Sequence, residues 1–188
     1  MQHLAIAAAA TALFIGAGAG AVTTIGPASP ASQSDLLNPM VAGQAMLASD
    51  SIFDDAAKSP EHTAFVAEIK QAGLADTLKG KGPFTVFAPT DAAYAALSPA
   101  ARGNAAKSAG YLVVRGRLDS QTLLRLINEN EGTAKLKTIE GGTITATMNG
   151  PTNIALMDGK GDVADIAIYD IYQSNGVIQV VDKVMLPG

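Results

Sequence analysis

Apolar and polar positions along the chain fall into three regimes. Residues 4–25 (LAIAAAATALFIGAGAGAVTTI) are apolar or small almost throughout, and the first charged side chain is Asp35. As a helix this stretch would span roughly 33 Å at ~1.5 Å per residue, close to the thickness of a bilayer core. In the second regime apolar residues recur three and four apart. Phe65, Val66 and Ile69 line one face of a helix that opens at Ser59-Pro60-Glu61 and ends at Gly73. Asn38-Pro39 carries the same start signal, so it predicts a helix over MVAGQAMLAS (40–49). LADTLKGKGP (74–83) reads as a short helical turn followed by a loop. Beyond residue 110 the spacing shifts toward two.

The third regime is built of strands. YLVV (111–114) is a short apolar run, and GRLDSQTLLRLINENEG (116–132) is a helix capped by Asp119 or Ser120. KLKTIEGGTITATMNG (135–150) predicts a hairpin around Gly141-Gly142, and 153–171 a second pair joined by a polar Gly loop. Asn175-Gly176 supplies the strongest short-range turn signal and leads the closing strand. Helices first and antiparallel strands later predict an α+β fold, with no internal repeat. The expected boundaries are 1–25 for a targeting or anchoring segment, 26–38 for a linker (GPASPASQS at 26–34 is Pro/Ser-rich), and 39–188 for one domain.

Composition narrows the function classes. Charged residues are 16% with a net charge of -4 and no basic run in the sequence, which argues against a nucleic-acid partner. Cysteine is absent, which excludes disulfides, thiolate metal sites and cysteine nucleophiles. Two readings of the N-terminus stay open. One is a signal peptide cleaved after Ala19-Gly20-Ala21. The other is an uncleaved anchor whose Ala8, Ala12, Gly16 and Gly20 fall four apart, the spacing that lets membrane helices pack closely. Both place the domain outside the cytoplasm, in the periplasm or cell envelope.

TVFAPTDAAYAAL (85–97) and SNGVIQVVDKVMLP (174–187) resemble the opening and closing signatures of the fasciclin I family, in order and at the ends of the domain. AGLADTLKGKGPF (72–84) and LKTIEGGTITATMNG (136–150) agree with it, so the resemblance covers about residues 50 to 187. It implies a wedge of two small, mostly antiparallel sheets with helices packed around one side. It also implies an extracytoplasmic role in adhesion or protein contact, without catalysis. The chain departs from the family where many members carry Tyr-His before the Val-Val run, since Tyr111-Leu112 stands there, and in the closing strand, where Gln179 replaces a histidine. SPAARGNAAKSAG (98–110) is short and lacks Leu, Ile and Val. A face around Tyr111, Leu112, Val113 and Val114 is therefore expected to be partly uncovered and to form the main protein contact.

No residue pattern specifies chemistry. Pro89 ends a strand, Thr90 is placed to cap a helix, and Asp91 lies at the positive end of its dipole. His3 lies in the N-terminal segment, and His62 is expected to be solvated in the first turn of a helix. Asp158, Asp162 and Asp165 lack calcium-loop spacing and read as a hairpin loop. Asp182 interrupts the apolar VVDKV and is expected to be buried, accepting backbone N–H groups. Tyr169 and Tyr172 are expected on opposite strand faces. No catalytic residue, metal or cofactor is expected. The expected partners are other proteins of the cell envelope or a membrane complex, plus the membrane itself if the N-terminus is retained. Two function classes accompany the adhesion reading: an accessory subunit tethered in a membrane complex, and a carrier of a small apolar ligand.

Overall fold

The computed structural model describes residues 38–105 and 109–188, with backbone alone for 103–105. The targeting or anchor segment, its stripe of Ala8, Ala12, Gly16 and Gly20, and linker residues 26–37 lie outside the described residues.

Asn38 opens the described chain by binding across the sheet instead of capping a helix. Its Oδ1 accepts from the Tyr172 N–H (2.8 Å), and its Nδ2 donates to the carbonyls of Tyr172 (2.7 Å) and Met46 (3.0 Å). The helix expected over 40–49 is a small hairpin, β1 (Met40–Val41) and β2 (Gln44–Ala45). The reason is local. Ala42 and Gly43 both take positive φ (49° and 76°), the two-residue turn that matches strand twist, and Gly43 adopts it without steric cost.

Among the described residues six short α-helices occur: α1 (Ile52–Ala56), α2 (Thr63–Gln71), α3 (Ala75–Lys79), α4 (Asp91–Ala95), α5 (Pro99–Ala105) and α6 (Ser120–Glu129). α2 buries Phe65, Val66 and Ile69, and the chain leaves it through Gly73 at φ 70°. Asp119 caps α6, accepting from the Thr122 N–H at 2.8 Å. Helices α1 and α3 pack on one another, as do α2 and α4. Among the described residues no helix is long and apolar enough to cross a membrane.

The remaining strands are β3 (Phe84–Pro89), β4 (Val113–Arg115), β5 (Thr133–Lys137), β6 (Thr143–Asn149), β7 (Asn153–Met157), β8 (Val163–Gln173) and β9 (Gly176–Val181). Their order is β4-β3-β9-β8-β7-β6-β5, and only the β3–β9 pair is parallel. β8 belongs to two half-sheets. Its residues 163–165 pair with β7 and 166–173 pair with β9, with register shifts at Ile166/Ile168 and Ile168/Ile171. Such bulges bend a strand, and here they turn one half-sheet against the other. The two outer strands then meet: Val114 bridges Thr138, and the Ile139 N–H donates to the Val113 carbonyl at 2.8 Å. The architecture is α+β, two small and mostly antiparallel half-sheets with helices alongside.

Asn175 ties the helices to the sheet. Its Oδ1 accepts from the Ile52 N–H (2.9 Å), and its Nδ2 donates to the Leu78 (2.7 Å) and Gly80 (2.9 Å) carbonyls. The pairing of Gln173 with Gly176 makes Ser174–Asn175 the hairpin loop, so Gly176 is the first residue of β9 and not part of the turn. Glycine is needed there for close approach. A Cβ on Gly176 would lie 2.0 Å from the Phe84 carbonyl oxygen.

Candidate interaction site

Pro89 closes β3, and Thr90 begins α4 by accepting from the Ala93 N–H at 3.3 Å. Asp91 does more than face the dipole of its own helix. Its carboxylate crosses to α2, accepting from the Ala64 N–H (2.8 Å) and the Thr63 hydroxyl (2.6 Å). Burial alone would raise its pKa, yet the hydrogen bonds from Thr63 and Ala64 outweigh it and hold the carboxyl below its usual range. α2 needs this outside help because His62, at its N-cap, makes no side-chain capping bond.

The expectation of a solvated His62 is corrected: the ring is buried, with Nδ1 2.8 Å from the Ser59 hydroxyl. It sits at the N-cap of α2, beside the backbone of Ala88 in β3 and the carboxylates of Asp91 and Glu61. Burial pushes its pKa down against the opposing pull of Asp91 and Glu61. Tyr94 completes this helical corner by donating to Glu68 at 2.6 Å. Burial raises the pKa of both, and the Glu68 carboxylate adds to the rise at Tyr94.

Beyond α4 lies an apolar groove of about 330 Å³. Ala93 and Leu97, Val163 and Ala164 of β8, and Val184 and Met185 of the C-terminal segment line it. Three polar side chains tie these segments together. Asp158 accepts from the N–H groups of Lys160 (2.8 Å) and Asp162 (3.0 Å) within its loop, and from that of Leu186 (2.9 Å) in the C-terminal segment. Lys183 donates to the Val163 carbonyl at 2.9 Å. Asp182 accepts from the Asp165 N–H at 2.8 Å, while its own N–H donates back to the Asp165 carbonyl at 3.2 Å. Val163, which lines the groove, and its cross-strand partner Met157 are 42% and 39% exposed, a large apolar pair at the polar end of a hairpin.

Asp182 therefore accepts a backbone N–H as expected, but it is exposed. β9 ends at Val181, so the carboxylate sits where the chain leaves the sheet and water can reach it. The buried carboxylate saturated by backbone donors is Asp158 instead. The expected contact face at Tyr111–Val114 is also corrected. Tyr111 and Leu112 lie in a 3-10 turn, Val113 and Val114 in β4, and all four are buried. The Tyr111 hydroxyl donates to the Thr143 carbonyl (2.6 Å), so the meeting of β4 with the β5–β6 hairpin supplies the cover that the short 98–110 segment does not. Tyr169 and Tyr172 are both half-buried, because the bulge at Asp170 (φ 58°) breaks the alternation between them.

The groove residues went unmarked in the sequence. A signal existed: Met157 and Val163 flank DGKGD directly, and apolar residues beside a polar turn mark an end of the hairpin that avoids water only if something covers it.

Gln179 is buried. It accepts from the Asp170 N–H (3.0 Å) and donates to the Asp170 carboxylate (2.8 Å) and the Leu118 carbonyl (3.2 Å). Asp170 in turn accepts from the Ser120 N–H at 2.7 Å, so the pair fixes the start of α6. Among the described residues, no three His, Cys, Asp or Glu side chains converge to hold a metal.

Residues 60–187 match the fasciclin domain family. The chain belongs to this family. Two Synechocystis proteins are each 31% identical to it. Protein sll1483 aligns over 138 residues, 72% of this fasciclin chain and 73% of its own length. Protein sll1735 aligns over 145 residues, 73% of this chain and 98% of its own. The pig (Sus scrofa) transforming growth factor-beta-induced protein ig-h3 is 31% identical over 127 residues, 65% of this chain but 17% of that larger protein. A solved FAS1 domain pair from the insect cell adhesion molecule fasciclin I superposes with a TM-score of 0.63 at 15% identity, covering 73% of this chain and 51% of that one. That likeness shows the fold of a single fasciclin domain.

Proposed function

We propose that the chain is a non-enzymatic, extracytoplasmic interaction module tethered at the cell envelope as an accessory subunit of a larger assembly, and that the groove between α4 and the C-terminal segment receives an apolar side chain of its partner. Fasciclin domains are generally extracellular interaction or adhesion modules, and the relative named for cell adhesion agrees with that class. The observation that carries the choice of site is the exposed Met157–Val163 pair beside a groove lined by Leu97, Val184 and Met185. A contiguous apolar surface rimmed by polar groups, here Asp162 and Lys183, is the usual anatomy of an interface core and its rim. A non-catalytic role is supported by the engagement of Asp158 and Gln179, whose side chains are held by backbone or by a neighbouring side chain inside the fold. The uncharged stretch before Asp35 supports export and tethering.

A photo-crosslinking residue at Val163 in the native membrane, with one at exposed Gln121 on α6 as control, tests the site. A defined protein adduct from position 163 and none from 121 is expected. Adducts of equal yield at both positions, or a stoichiometric small apolar molecule released from the purified protein, would overturn it. The second result favours a carrier.

A further inference from the structure

Six exposed cations, Lys79, Lys81, Arg115, Arg117, Lys135 and Lys137, line two depressions, served from either side of Gly116, on a chain whose net charge is -4. The sequence scatters them over 59 positions, and the topology gathers them. The Gly116 N–H donates to the Pro83 carbonyl (2.9 Å), which sets Arg117 beside Lys79 and Lys81 around a depression of about 580 Å³. On the other side of Gly116, Val114 bridges Thr138, so Arg115 shares a second depression of about 470 Å³ with Lys135 and Lys137. Strand alternation turns Ala134 and Leu136 of β5 inward and leaves these two lysines outside. Only Lys79 has an ion-pair partner among the described residues, Asp54 at 3.2 Å. The acids that adjoin Arg117 in the fold, Asp119 and Asp170, are turned onto the N–H groups of Thr122 and Ser120. Arg117 itself donates to the Gln173 carbonyl at 3.2 Å.

We infer that these cations dock on anionic lipid headgroups. Two observations favour a bilayer over other polyanions. The described chain starts at this end, since Asn38 is bonded to Tyr172, the neighbour of the Gln173 that Arg117 touches. The residues before it hold the uncharged apolar stretch 4–25, followed by 26–37. About 12 residues separate that stretch from Asn38, so a domain tethered through it stays near the membrane surface. Clustered cations next to a membrane segment bind anionic lipid with about a fivefold gain per cation. The inference rests on the tethered reading above, and its test separates the two.

The protein has no cysteine, so a single Ser174→Cys in the first depression and a single Val163→Cys at the groove can carry a fluorophore. The full chain is reconstituted in phosphatidylcholine vesicles with and without phosphatidylglycerol, and acrylamide quenching is measured. The label at 174 should be shielded only with phosphatidylglycerol, lose its shielding in high salt, and lose it also with Lys81→Glu and Arg117→Glu combined. The label at 163 should be indifferent to lipid charge. Equal quenching at 174 in both vesicles, with the chain still pelleting, overturns the inference and leaves tethering intact. If the chain leaves both pellets after a salt wash, tethering fails. Low-salt pelleting of the free chain then decides: binding to phosphatidylglycerol vesicles that the double substitution abolishes upholds the inference, and no binding overturns it. Binding that persists in the double variant also overturns it.

Discussion

Asn175 makes three side-chain hydrogen bonds, one to the start of α1 and two to the end of α3, while its carbonyl accepts from the Phe84 N–H at 3.0 Å. Replacing it with alanine leaves one donor and two acceptors unpaired in a half-buried corner. Asn175→Ala should therefore cost about 2–3 kcal/mol in urea unfolding, each stranded group contributing part of the usual ~1–3 kcal/mol. A midpoint unchanged from the parent would mean that water replaces all three bonds. His62 gives a residue-scale prediction in pH. Its folded pKa is depressed by burial, so the unfolded chain binds a proton more readily, and stability is lost as pH falls below about 6.5. The slope should reach at most ~1.4 kcal/mol per pH unit. Burial raises the pKa of Asp55 and Glu68, which works the other way, adding stability as pH drops toward the carboxylate range. His62→Asn keeps a polar atom near Ser59 without the titration, and its unfolding free energy should be flatter between pH 7 and 5.5. Parallel curves for the two proteins would show that His62 does not titrate in the unfolding transition. At this scale the sequence shows a residue's type but not its surroundings. A lone His after Ser-Pro-Glu looks like surface until the fold brings Ala88 and Asp91 beside it, and Asp182 looks buried until β9 stops one residue earlier.

At the scale of elements, local signals were legible where one segment supplies its own ends. Thr90 and Asp119 cap the helices that follow them, and Phe65, Val66 and Ile69 face inward as their spacing demands. Legibility failed where an end is finished by another segment. α2 lacks a cap of its own, and Asp91, the first residue of α4, accepts from the N–H of Ala64 and the hydroxyl of Thr63. Nothing near residue 63 announces this. The expected helix at 40–49 failed for the converse reason: Asn38-Pro39 carries a start signal, but Ala42-Gly43 can reverse the chain, and the bonds from Asn38 to Tyr172 favour the hairpin. Because Asp91 serves two helices, Asp91→Ala should destabilise by about 1–2 kcal/mol, the upper range for loss of a cap, and more than Thr90→Ala. Chemical denaturation of both variants checks the order. A smaller loss for Asp91→Ala would show that the bridge to α2 is replaced by solvent.

Across the whole molecule, hairpins could be read from Gly141-Gly142 and from the DGKGD loop, because each turn joins neighbouring strands. The central pair could not. β3 and β9 are about ninety residues apart, run parallel, and are buried along all six positions, so each reads as an apolar run without a face. That pair decides whether the fold closes. β9 enters between β3 and β8, and until it does, both expose an unpaired edge and the helices pinned by Asn175 have no sheet to hold. Gly176 stands at the point of entry. A methyl group there would meet the Phe84 carbonyl oxygen at 2.0 Å and the Ile52 side chain at 2.8 Å. The Ile52 side chain can move aside, but the carbonyl belongs to the parallel pair and can retreat only by breaking it. Gly176→Ala should therefore cost about 3 kcal/mol or more, beyond what a surface substitution gives, and should speed unfolding as well as lower the midpoint. Gly150, exposed in the β6–β7 turn with nothing within 4 Å of its Cβ position, is the control. Gly150→Ala suffers only the strain of φ 82° and should lose about 1 kcal/mol. Urea unfolding by circular dichroism distinguishes the two. Equal losses would mean that β3 and β9 separate readily at their start, and that closure of the sheet depends on the pairs from Ile178 to Val181 instead.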